Sequence, residues 1–168
     1  SLTLSANIAI EQSYGYIDGD GASLAELCAL ISAITSLPIS QSIALTGSIN
    51  QHGDVQAIGG VNEKIEGFFK LCKMRGLTSA QGVIIPKSNQ VNLVLDDEIL
   101  NAVELGKFHI YAVETVDQAL NLLMDIAAGE LSDGQYPENS VNGIALARLS
   151  EIADIVNGDN DEKEHEKE

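Results

Sequence analysis

No tryptophan occurs in this chain of 168 residues, and aromatic side chains make up only 4% of it. A core therefore has to be built from Leu, Ile, Val and Ala. Basic residues are scarce as well: 9 Lys and Arg stand against 25 Asp and Glu, for a formal net charge of −16. No cluster of positive side chains is dense enough to hold a phosphate backbone, which argues against a nucleic-acid partner. The two cysteines, Cys28 and Cys72, fall in separate helical patterns. That spacing argues against a disulfide framework or a metal site and reads as small buried hydrophobes in a reducing compartment. No apolar run reaches membrane-spanning length and no signal peptide is visible, so the expectation is a cytoplasmic protein with no membrane partner. There is also no Gly-x-x-x-x-Gly-Lys-[Ser/Thr] loop, so ATP is not bound here by that device. The chain opens on Ser1 rather than methionine and runs at once into a strand pattern, which reads as a piece cut from a longer polypeptide.

What is present is ordinary for one globular domain, with 45% hydrophobic and 20% charged residues. Leu2, Leu4, Ala6, Ile8 and Ile10 alternate with polar or small residues, the mark of a half-buried strand. From Ser23 to about Ser36 the apolar positions recur at helical spacing, and Pro38 closes that helix. A strand over 42–47, a hairpin over 48–57 turning near Gln51–Asp54, and a helix from about Asn62 to Met74 follow. Gly82–Pro86 is short and wholly apolar, as expected of a strand covered on both faces. A helix near 97–105, a strand over 108–113 and a helix over 115–126 complete an alternating order. Residues 131–139 read as a linker and 140–156 as a final helix, which can pack on the domain or on a neighbouring chain. The acidic tail 157–168 has nothing apolar to bury and reads as disordered.

One stretch breaks the pattern. In Asp18-Gly-Asp-Gly-Ala-Ser23, two glycines and two carboxylates crowd a serine at the start of a helix. Helix capping is the simpler account of Ser23. The chemical account makes it a nucleophile, which needs a base to remove its proton. His52 sits at a hairpin turn, His109 within a strand and His165 in the tail, so a Ser-His-Asp arrangement is weakly signalled. Lys64 is the better candidate, in the first turn of the helix that follows Gly59-Gly60. A lysine is a base only when burial or a helix dipole lowers its pKa far from about 10.4. Spacing alone leaves a solvated surface lysine equally open. Thr46 can orient the amine, and Asp20 can hold the amine or the bend; in isolation they read as a strand residue and a turn former.

Taken together, "DGDGAS", "LTGSINQHGDVQAIGG" and "VNEKIEGF" resemble the proteolytic domain of the Lon family of ATP-dependent serine proteases, from about residue 2 to about residue 128. The likeness is nearest to B-type Lon and Lon-like proteins, whose nucleophile motif is Gly-Asp-Ser-Ala-Ser. Here it is Gly19-Asp20-Gly21-Ala22-Ser23, and Gly21 follows the A-type pattern instead. The resemblance implies Ser23 as nucleophile, Lys64 as its dyad partner, and Thr46 and Asp20 as the supporting pair. It implies an α+β fold similar to the second domain of ribosomal protein S5, a mixed sheet with packed helices, over 1–130. It further implies a hexameric ring, unfolded or misfolded proteins as substrates, and ATP with magnesium bound only by an ATPase module that, with the first strands of the domain, is missing here. The expected reaction is peptide hydrolysis through an acyl-enzyme, with oxyanion donors among the backbone N–H groups of Gly21 to Leu24, those of Ala22 and Ser23 included. Two rivals remain: an inactive assembly domain, and a phosphate cradle at 19–21, which the carboxylates of Asp18 and Asp20 disfavour.

Overall fold

The computed structural model describes residues 22–166. The strand pattern at 2–10 and the glycine bend with Asp20 lie outside them. In chain order the elements are α1 (Ser23–Thr35), β1 (Ile43–Leu45), β2 (Ser48–Ile49), β3 (Val55–Gln56), α2 (Val61–Arg75), β4 (Gly82–Pro86), a 3-10 segment (Lys87–Asn92), α3 (Asp97–Glu104), β5 (His109–Val113), α4 (Val116–Leu123) and α5 (Val141–His165). β1, β4 and β5 form a parallel sheet in the order β1-β4-β5, with Ile43 opposite Gly82 and Gly82 opposite His109. β2 and β3 form a separate antiparallel ribbon, so among the described residues the two strand directions do not mix within one sheet.

The central strand β4 explains the layering. Successive side chains of a strand point to opposite faces. Ile84 enters a core with Leu24 and Cys28 of α1, Leu120 of α4 and Val141 of α5. Val83 and Ile85 enter a second core with Ile65 and Phe69 of α2, Ile99 of α3 and Phe108. Both faces of β4 are covered, as its unbroken apolar run requires, and all five of its residues are buried. Phe69 meets Phe108 edge-on, with ring centroids 5.2 Å apart.

Three helices begin on side-chain caps. Asp96 accepts from Ile99 N–H at 3.0 Å, Thr115 from Gln118 N–H at 3.3 Å, and Ser140 from Gly143 N–H at 3.0 Å. α5 packs along α1 within this chain. Beyond that contact Ile152, Ile155 and Val156 stand exposed. The helix then continues through His165, drawing into it the acidic residues read as disordered. Extending an existing helix is far easier than nucleating one, so a charged segment can follow a well-anchored start. None of the described helices is long and apolar enough to cross a membrane.

Candidate active site

Ser23 is the first residue of α1, not its cap. The cap position is Ala22, and α1 has no side-chain cap bond. The Ser23 hydroxyl instead accepts the N–H of Ile49 in β2, at 3.0 Å, and the residue is 7% exposed. Accepting that bond uses an oxygen lone pair and leaves the O–H proton for another group. The capping account of this serine is therefore replaced by a bond to the neighbouring ribbon.

The chain between β1 and β2 holds α1 against the sheet. Leu24 N–H donates to the Gly47 carbonyl at 3.2 Å, and Thr46 N–H donates to the Ile84 carbonyl at 3.0 Å. Leu24 is thereby committed, and drops out of the oxyanion donors that the sequence suggests. Gly47 has φ of +153°, and a Cβ there would lie 3.1 Å from Val55 Cγ1 and 3.3 Å from Leu24 Cδ2. A side chain at this point would force Val55 and Leu24 to give by a few tenths of an ångström. Thr46 is 4% exposed, and its Oγ1 has no hydrogen-bond partner among the described residues. A buried hydroxyl left unpartnered costs about 1–3 kcal/mol.

Lys64 stands in the first turn of α2, exposed, with its N–H donating to the Gly60 carbonyl at 3.1 Å. Gly60 caps α2 in the left-handed region, φ +71°, again with no side-chain cap bond. Among the described α-helices, the two that carry the candidate serine and lysine are thus the two that begin without a side-chain cap. The histidines stand elsewhere: His109 Nε2 lies 2.7 Å from the Ser79 carbonyl, and His52 is exposed beside Gln51. Neither offers Ser23 a base through those contacts.

Sequence reasoning missed an asparagine frame behind Lys64. Asn89, 2% exposed, accepts from Ile58 N–H and donates back to the Ile58 carbonyl, both at 3.0 Å. Asn62 donates to the Asn92 carbonyl and accepts from Val94 N–H, both at 2.9 Å. The signal was two asparagines, Asn89 and Asn92, in close succession after Pro86, without any cue to their partners.

Cys28 and Cys72 are both free and buried. Burial pushes the Cys28 thiol up to about 12 and raises that of Cys72, which Arg75 partly opposes. Neither serves as a nucleophile at neutral pH. Among the described residues no group of three or more His, Cys, Asp or Glu is placed to hold a metal ion.

Comparison with known proteins decides the family. Residues 6–125 match the model of the Lon protease (S16) C-terminal proteolytic domain. The chain belongs to the Lon protease family. It is 55% identical over 125 residues to a Lon protease homolog of Escherichia coli (strain K12), a stretch covering 74% of this chain and 21% of that protein. A homolog from Haemophilus influenzae is 56% identical over 122 residues, 73% of this chain and 20% of the other. The archaeal Lon protease of Methanocaldococcus jannaschii is 39% identical over 119 residues, 71% of this chain and 16% of the other. The chain thus spans about a fifth of the length of its bacterial Lon relatives. An α+β domain with a parallel sheet and packed helices is in keeping with that membership.

Proposed function

We propose that this Lon-family domain hydrolyses peptide bonds with a Ser23–Lys64 dyad, acting on unfolded or misfolded proteins. The observation that carries the reading is the buried hydroxyl of Thr46, unpartnered among the described residues, two residues along the chain from the ribbon that holds Ser23 Oγ. An amine arriving there accepts or donates the missing bond. Lys64, neutral, removes the Ser23 proton as Oγ attacks the substrate carbonyl. It then returns the proton to the leaving amine, and water completes the cycle by attacking the acyl-enzyme. The uncapped start of α1 supplies positive potential, and the N–H groups of Ala22 and Ser23 serve as oxyanion donors. Loss of one such donor costs about 3 kcal/mol. Asp20 supports the lysine or the bend that leads to Ser23.

Lys64 is exposed on the single chain. The dehydration that favours a neutral amine therefore comes with bound substrate or with a neighbouring copy in the hexameric ring. ATP-driven unfolding belongs to a module outside this chain. The scheme calls on no cofactor from this chain, and the α+β fold proposed for the whole domain is one resembling the second domain of ribosomal protein S5. A fluorogenic peptide assay tests the proposal: Ser23→Ala and Lys64→Ala each reduce turnover by several orders of magnitude. Wild-type turnover in either variant refutes the dyad.

A further inference from the structure

We infer that Asn89 and Asn62 are positioning residues that fix Lys64 for its reaction with Ser23, an inference that rests on the dyad proposed above. Lys64 enters α2 through Gly59-Gly60, both exposed, with Gly60 in the left-handed region. Two consecutive glycines leave the direction of a helix poorly determined by local sterics. The asparagines remove that freedom from both sides. Upstream, the carboxamide of Asn89 pairs with both backbone polar groups of Ile58, as a neighbouring strand would. Downstream, Asn62 ties the first turn of α2 to Asn92 and Val94. The remaining Asn89 Nδ2 proton reaches Asn92 Oδ1 at 3.2 Å, joining the two grips.

All of these anchors lie on one segment, residues 89–94, that leaves directly from β4. That strand is the most deeply buried of the described strands, with Ile84 and Ile85 at 0% exposure. β4 also accepts Thr46 N–H through the Ile84 carbonyl, next in the chain to Gly47, whose carbonyl holds Leu24 N–H, the neighbour of Ser23. The lysine and the serine are therefore referenced to the same strand by separate hydrogen-bonded routes. The carboxamides fix the helix start by geometry and add no charge of their own to a first turn that already holds Glu63 beside Lys64.

The test is a double-mutant cycle on the full chain, read as the rate at which a fluorophosphonate acylates Ser23. A misplacement of about 1 Å costs on the order of 100-fold in rate, so Asn62→Ala and Asn89→Ala each slow acylation by about 10- to 100-fold. The same substitutions made on top of Lys64→Ala produce no further loss, since there is no longer an amine to position. If Asn89→Ala fails to fold, Asn62→Ala, a half-buried change, carries the test alone, with near-ultraviolet circular dichroism as the folding control. Equal losses in both backgrounds, or no loss from Asn62→Ala, overturn the positioning role. Lys64→Ala reacting as fast as wild type overturns the dyad itself, a separate and recognisable outcome.

Discussion

At the scale of single residues, Thr46 is where structure and chemistry pull apart. Its hydroxyl is buried and unpartnered among the described residues, so it costs stability unless it serves the site. Thr46→Val keeps the shape and removes the oxygen. The expected outcome is a gain of about 1 kcal/mol, read as a rise of about 2–4 °C in melting temperature, with peptidase activity lowered at least 10-fold. A fall in stability with activity intact would show that the hydroxyl has a structural partner instead. Cys28 gives a second test. Its thiol is pushed from 9.0 to about 12 by burial, so the folded state favours the protonated form. That contribution to stability is complete below the unfolded value near 9 and is lost as pH rises through the folded value. Wild-type stability should therefore fall more steeply than that of Cys28→Ala between pH 9 and 12 in parallel melting curves. At pH 8 the native thiol should react with iodoacetamide far more slowly than the denatured one.

At the scale of elements, the pieces were legible where periodicity is strong and invisible where bonds cross the chain. The helices of Ser23–Thr35 and Val61–Arg75 and the strand Gly82–Pro86 all appear within a residue or two of their patterns. Their apolar faces had to be buried, and the spacing says how. The 3-10 segment and its asparagine grip on Ile58 were not legible, because a carboxamide says nothing of its partner 31 residues away. The capping account of Ser23 failed for the same reason: its acceptor bond comes from Ile49 in another element. α5 outran its apolar pattern because elongation needs no core contact. Gly47 is the element-level pivot, since α1 hangs on its carbonyl and β2 follows it. Gly47→Ala brings a Cβ to 3.1 Å from Val55 and 3.3 Å from Leu24 in a backbone conformation unfavourable to alanine. It should cost about 1–3 kcal/mol in chemical denaturation and lower activity beyond that loss, because Ser23 moves with the helix. Unchanged stability would mean that the turn relaxes without disturbing α1.

At the scale of the whole molecule, this is a Lon-family proteolytic domain covering about a fifth of its bacterial relatives. Within it a buried strand references two uncapped helices, one bearing a serine and the other a lysine. The candidate pair itself was readable in the sequence only because three motifs occur together in order; any one of them alone suits an ordinary turn or surface. The central claim is that Lys64 activates Ser23. Its most direct measurement is the rate of fluorophosphonate acylation of the assembled protein, followed by intact mass and by mapping of the modified peptide. A single adduct on Ser23 that forms at least 100-fold more slowly in Lys64→Ala is the predicted result. An adduct elsewhere, or one that forms on Ser23 at the same rate without the lysine, would contradict it.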